Sequence, residues 1–291
     1  MNLTLSVFLL VLAPAAQAQV WVQEKKYPNH LEAAGLNGPV QVLSEAQYQW
    51  MLPRGDSGRP KLSYTKLSRY NEAGNLLSER IIRTDGSTGH LDSFLYDTRG
   101  RLQQRIGLEP TRPRSEVSTR YFYDADGNLL REEATMPGNV PLTTTTYTYD
   151  AKGRRTGKTR ETYVRRESER TVYTYDAQGR KKQEVMISPW ETVTRTLRYP
   201  AAGRTETHYR YEKAKDPKFR KEVDGFEQLD AAGRVRESRY DPTPGDPHYV
   251  FSYQEDARGN WTHQYVADER QPKQRYLLVE RRITYAPKSK I

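Results

Sequence analysis

One bend recurs along this chain and leaves little choice of architecture. The segment Tyr149-Asp-Ala-Lys-Gly153-Arg154 has relatives beginning at Tyr70, Tyr96, Tyr123, Tyr175, Tyr199, Leu229 and Glu255. Their glycines, Gly74, Gly100, Gly127, Gly153, Gly179, Gly203, Gly233 and Gly259, lie 26, 27, 26, 26, 24, 30 and 26 residues apart, and each precedes Asn or Arg. A fixed interval in this range marks a repeat architecture. Asp followed three residues later by Gly suits a type I turn, because the Asp side chain accepts a hydrogen bond from the backbone two residues on. Gly then takes the left-handed conformation that closes a three-residue hairpin loop with a bulge. The flanks Phe94-Leu-Tyr96, Tyr121-Phe-Tyr123, Tyr147-Thr-Tyr149 and Tyr173-Thr-Tyr175 alternate as strands do. Two strands of about nine residues and two turns fill each interval.

The turn geometry also sets a register. Tyr should lie opposite the second residue after Gly, giving the pairs Tyr70–Leu76, Tyr96–Leu102, Tyr123–Leu129, Tyr149–Arg155, Tyr175–Lys181 and Leu229–Val235. Arg155 and Lys181 would lay their stems over the paired Tyr. On the other face Asp97–Arg101, Asp150–Arg154, Asp176–Arg180 and Asp230–Arg234 become short ion pairs worth about 0–1 kcal/mol each. The second turn of each unit varies and is rich in Pro or Gly, as at 53–60, 110–114, 137–141, 241–247 and 271–273. Together the flanks predict about 18 antiparallel strands from Val40 to near Tyr285. A flat sheet of that size would run about 85 Å. Sheets beyond about ten strands curl, split or close. The expected fold class is therefore all-β: an antiparallel hairpin repeat array, a long meander coiled into a curved or partly closed shell with its Tyr and Leu side inward. Pro39–Met51 and Tyr276–Tyr285 are the expected end caps, and exposed end strands would invite pairing with a second copy, with Arg281 and Arg282 discouraging it.

Composition narrows the class. Only 35% of the 291 residues are hydrophobic even with 21 Tyr counted, so a large two-sided core is not expected. The absence of Cys excludes disulfides, thiolate metal sites and a Cys nucleophile. Residues 1–18 (MNLTLSVFLLVLAPAAQA) have an apolar run from Leu3 to Leu12 and the pattern Ala16-Gln17-Ala18, so they read as a secretory signal cleaved before Gln19. The run is too short to span a bilayer. An N-terminal segment, 19–37, with a short helical turn at 29–35 would precede a single repeat array over 38–291. Export to the periplasm or beyond follows.

The Tyr-Asp-x-x-Gly-Arg/Asn units between about residues 60 and 265 resemble the YD repeats of the RHS family, which includes bacterial polymorphic-toxin shells and animal teneurins. The stretch 36–48 is also similar to the first strand of small exported repeat proteins of the Bacteroidetes. The resemblance implies hairpins stacked into a spiralling shell, a secreted or cell-surface setting and association with carbohydrate. The period is longer than in toxin members, the units are too few to enclose a toxin, and the shell-closing Asp-Pro core motif is missing, since Asp241-Pro242 and Asp246-Pro247 sit in a variable turn.

No catalytic residues, cofactor or metal are expected. Asp124-Ala-Asp126-Gly127-Asn128 begins like a calcium loop, but its twelfth position is Thr135 and the turn accounts for the same residues. His30, His90, His208, His248 and His263 lack ligand spacing. Arg54-Gly55-Asp56 reads as an ordinary Gly-rich turn. Charge is more informative: residues 141–213 hold 16 Lys and Arg against 9 Asp and Glu, most of the net +10. That concentration points to a basic, aromatic surface for an anionic polysaccharide, lipopolysaccharide or a cell-surface protein. Tyr163, Trp190, Tyr209 and Tyr211 would be its platforms, and Arg165, Arg166, Arg195 and Arg210 its anion contacts. Base-specific nucleic-acid recognition has no motif support. The expected function is a non-enzymatic envelope module; the alternative is a polysaccharide hydrolase or lyase with its site in the concave groove.

Overall fold

The structure, a computed structural model, describes residues 30–49, 61–112, 115–201, 203–240, 248–270 and 276–287. The signal segment, Arg54-Gly55-Asp56 and the Asp-Pro pairs of 241–247 lie outside the described residues. Among the described residues one four-residue helix, α1 (His30–Ala33), precedes 18 strands. The first six are β1 (Val40–Gln49), β2 (Lys61–Tyr70), β3 (Leu76–Arg83), β4 (Thr88–Tyr96), β5 (Leu102–Leu108) and β6 (Val117–Tyr123). The next six are β7 (Leu129–Met136), β8 (Val140–Tyr149), β9 (Arg155–Thr162), β10 (Glu167–Tyr175), β11 (Lys181–Ile187) and β12 (Glu191–Ala201). The last are β13 (Arg204–Lys213), β14 (Asp216–Leu229), β15 (Val235–Tyr240), β16 (Tyr249–Glu255), β17 (Trp261–Asp268) and β18 (Tyr276–Tyr285).

Each strand pairs antiparallel with its sequence neighbours, and β18 returns to pair with β1. The expected antiparallel hairpin array is thus closed into a ring of 18 strands among the described residues. The two strands expected to act as end caps form its seam instead, matching Val40 with Tyr285, Leu43 with Ile283 and Glu45 with Arg281. Arg281 is therefore no edge-guarding charge: it is buried against Glu45, and neither β1 nor β18 leaves an edge to a second copy.

The repeated bends gather at one rim and the variable turns at the other. All eight repeat glycines have φ between 72° and 87°. In each bend with a leading Asp the Gly N–H donates to the Asp carbonyl, as Gly153 does to Asp150 at 2.9 Å. The six Tyr–Leu-type pairs occur in the expected register, each beside a bulge. The charged ends of Arg155 and Lys181 lie over Tyr147 and Tyr173, two residues along the strand from the Tyr each pairs with, at 4.5 Å in both cases. A side chain leaning along its strand carries its end to the next ring on the same face.

Successive hairpins interlock at this rim. Tyr96, Tyr123, Tyr149, Tyr175, Tyr199 and Tyr253 each donate their hydroxyl to a backbone carbonyl near the start of the second strand of the preceding hairpin, at 2.6–2.8 Å. The post-glycine Arg101, Arg154, Arg180 and Arg234 pair with their own turn Asp and also lie over the next unit's aromatic ring. Arg154 covers Tyr175 at 4.6 Å and Arg180 covers Tyr199 at 4.3 Å.

Strand alternation then separates two faces. The buried residues Leu43, Glu45, Ser68, Asp92, Thr145, Thr171, Lys181, Leu197, Thr207, Val235, Val279 and Arg281 share one face through the register, and this face lines the inside of the ring. The exposed Leu95 and Ile187 sit on the other. α1 and its continuation pack over the repeat-turn rim. Leu31 and Leu36 join Val40, Leu43, Tyr70 and Leu76 in the hydrophobic cluster, and the Leu31 N–H donates to the Gly74 carbonyl. Asn37 clamps the seam: its N–H donates to Asn260 Oδ1 at 2.6 Å, while the Asn260 amide donates to the Asn37 carbonyl and to Tyr285.

Candidate functional site

The eight binding residues expected from sequence fall into three places near the variable-turn end. Tyr163, Arg165 and Arg166 form the β9–β10 turn, where Arg166 sits at φ 53° and the Tyr163 hydroxyl meets that of Thr144 at 3.1 Å. Trp190 occupies the β11–β12 turn, 55% exposed, with the Lys215 ammonium 5.5 Å from its ring. These four are rim residues on neighbouring turns. Arg195, Tyr209 and Tyr211 instead face the inside of the ring: Tyr209 stacks on Tyr211 at 6.2 Å, and Arg195 lies 5.7 Å from the Tyr209 ring. Burial pushes both tyrosine hydroxyls above their ordinary titration range, so they remain neutral donors. Arg210, one position away from either Tyr, points outward and pairs with Glu222.

Arg210 leads to a groove that the sequence reading missed. On the outer wall of β12–β15 a depression of about 580 Å³ is lined by Arg198, Arg204, Arg210, Arg239, His208 and Phe226, with Glu206 and Asp224 among them. Arg204 lies over the Phe226 ring at 4.4 Å. His208 pairs with Asp224 at 2.6 Å and Arg204 with Glu206 at 3.3 Å. Among the described residues Arg198 and Arg239 have no ion-pair partner, so the groove keeps a positive surplus. A signal for it existed: with the hairpin register in hand, Arg198, Glu206, Phe226 and Arg239 fall on one row across four strands.

The inside wall carries a second, polar cavity of about 340 Å³ across β5–β9. Elsewhere inside, at the seam, Glu45 bonds Arg281 at 2.9 Å and Lys66 at 2.6 Å. The Arg281 guanidinium lies over the Trp261 ring at 3.4 Å. Burial alone would raise the Glu45 carboxyl, but the charges of Arg281 and Lys66 outweigh it and hold it below the ordinary value. Asp124 spends its carboxylate on Asn128, accepting from the backbone N–H at 2.6 Å and the side-chain amide at 2.7 Å, as a turn residue does. No cluster of three or more His, Asp or Glu able to hold a metal ion occurs among the described residues.

Comparison with known proteins places these features in context. The family model described as Teneurin YD-shell matches residues 36–183. A porin-like protein from Bacteroides uniformis is similar in structure, with 12% identity over 84% of this chain and 98% of its own, and a TM-score of 0.43. A chain of the Photorhabdus luminescens Tc holotoxin pore shares 12% identity over 77% of this chain but 15% of its own length, with a TM-score of 0.35. The TcdB2–TccC3 structure gives 13% identity, 79% and 15% coverage and a TM-score of 0.33, so the chain spans about 15% of the length of these toxin chains. No curated protein matches.

Proposed function

The chain belongs to the Teneurin YD-shell family, and from that premise we propose that it is an exported, non-enzymatic shell module of the cell envelope that binds an anionic polysaccharide through its basic outer wall. The family supports a structural, shell-like role. The observation that carries the ligand class is the outer groove, which Arg198, Arg204, Arg210 and Arg239 line together with Phe226, Arg204 lying over the Phe226 ring, with the rim residues Tyr163, Arg165, Arg166 and Trp190 on turns of neighbouring strands. A guanidinium cluster beside an aromatic face suits carboxylate- or sulfate-bearing sugars, whose rings offer an apolar side and whose charges pair with Arg. The wall itself is built for water. Arg80, Arg120, Arg170, Glu206 and Arg210 occupy its outward positions within strands, where a lipid-facing barrel carries an apolar band about 25 Å tall. No described helix is long and apolar enough to cross a membrane.

A panel of polygalacturonate, alginate, lipopolysaccharide and neutral dextran, presented to protein purified after expression of the full chain, tests this reading. The acidic polymers should bind, dextran should not, and affinity should fall as salt rises. Arg198→Ala with Arg210→Ala, and Arg165→Ala with Arg166→Ala, should each weaken binding without changing the fold. Product release from any polymer in the panel would replace this reading with the polysaccharide hydrolase or lyase, and equal binding of dextran would refute the charge-based recognition.

A further inference from the structure

The cavity inside the ring is chemically unlike the outer groove and lies on different strands. Its wall is assembled from the inward positions of β5 to β9, with Leu142 at its edge. Two of its charged groups already have protein partners, although Glu132 keeps its negative charge. Arg105 grips Asp92 with two hydrogen bonds, at 2.8 and 3.0 Å, and Glu132 accepts the Tyr147 hydroxyl at 2.7 Å. Burial, reinforced by the Glu132 charge, drives the Tyr147 hydroxyl far above its ordinary range, so Tyr147 stays a neutral donor and Glu132 keeps its acceptor bond.

What remains is a matched set without protein partners. Lys158 and Arg160, two residues apart on β9, face the cavity, and among the described residues neither has a carboxylate within ion-pairing distance. Thr119, Thr143 and Thr145 line the same cavity, and their hydroxyls make no hydrogen bond with another described residue. Thr145 is only 6% exposed as a residue, and its hydroxyl oxygen opens on the cavity. Polar groups in a half-enclosed site are costly unless something pairs with them. Two cations and three hydroxyls around about 340 Å³ call for a small ligand with one anionic group and several hydroxyls.

We propose that this cavity binds a small acidic sugar, with Lys158 and Arg160 holding its carboxylate or phosphate and Thr119, Thr143 and Thr145 its hydroxyls. The site is independent of the polymer-binding reading, since it shares no residue with the outer groove or the rim.

Isothermal titration of the purified protein with galacturonate, glucose 6-phosphate, glucose and inorganic phosphate tests it. At least one of the two acidic sugars should bind with a Kd below about 1 mM, and glucose and inorganic phosphate should bind at least about tenfold more weakly. Lys158→Gln and Arg160→Gln, each checked by circular dichroism, should weaken the acidic sugar about tenfold or more. The groove variant Arg198→Ala with Arg210→Ala should leave it unchanged. The proposal is overturned if neither acidic sugar binds, if glucose or phosphate alone binds as tightly, or if both folded glutamine variants bind like the wild type. Loss of polymer binding with retained sugar binding would sink the outer-groove reading alone.

Discussion

At the scale of single residues, the unit of construction is a tyrosine that closes one hairpin and fastens to the previous one. Tyr175 pairs with Lys181 across its own bend, donates its hydroxyl to the Arg155 carbonyl at 2.6 Å, and lies under Arg154. The first of these links was legible in the sequence, because a bend of known length dictates what lies opposite what. The other two join residues 20 or so positions apart and depend on how far one hairpin is offset from the next, which no local pattern encodes. The same limit explains the scattering of the expected binding residues: Tyr209, Arg210 and Tyr211 adjoin in sequence yet alternate between the inside and outside of the wall. If the hydroxyl link matters, Tyr175→Phe should cost about 1 kcal/mol, the net value of one hydrogen bond. Tyr163→Phe, at an exposed turn, should stay within about 0.5 kcal/mol of wild type. Urea unfolding followed by circular dichroism separates the two; equal, negligible losses would remove the interlock as a source of stability.

At the scale of elements, the seam between β1 and β18 differs from every other strand pair because no hairpin joins it. Its register rests on side chains: Glu45 held between Arg281 and Lys66, Arg281 laid over Trp261, and Asn37 exchanging hydrogen bonds with the fully buried Asn260. In the sequence these residues look like ordinary surface charges and a standard turn Asn. Only the closed ring brings Glu45 and Arg281, 236 positions apart, together. A carboxyl whose pKa is lowered in the folded state adds stability that is complete above its unfolded value and is lost as pH falls through the folded one. Glu45 is such a group, and Asp97, Asp150, Asp176, Asp230 and Asp256 at the bends are held low as well. The Tm should therefore drop below about pH 4.5, after a smaller decline that begins as pH falls through about 6.5, because burial lowers the pKa of His30 and penalises its protonation. Glu45→Gln leaves Arg281 without its counter-charge and should cost about 3–5 kcal/mol near neutral pH. Its acid decline should then be shallower than that of the wild type. Thermal melts from pH 7 to 3 check both parts, and a variant melting in parallel with the wild type throughout would show that the buried pair does not hold the seam.

At the scale of the whole molecule, the account stands on closure. Repeated bends make a meander, and a meander of this length has to curl; the sequence says that much through spacing alone. Whether the first and last strands meet depends on twist accumulated over 18 strands and on the α1 segment seated over the rim. Closure also gives the wall its two chemically distinct sides, with the basic groove outside and the acidic-sugar cavity inside. Because the chain has no Cys, nitroxide labels can be placed without background at Ser44→Cys and Arg282→Cys, positions that face each other across the seam. Double electron–electron resonance should then give a distance under about 20 Å, since directly paired positions lie about 5 Å apart before the label arms are added. An open, flat array would separate the same labels by about 80 Å at the usual strand spacing. A distance distribution centred beyond about 40 Å, half that flat-sheet span, would contradict the closed shell.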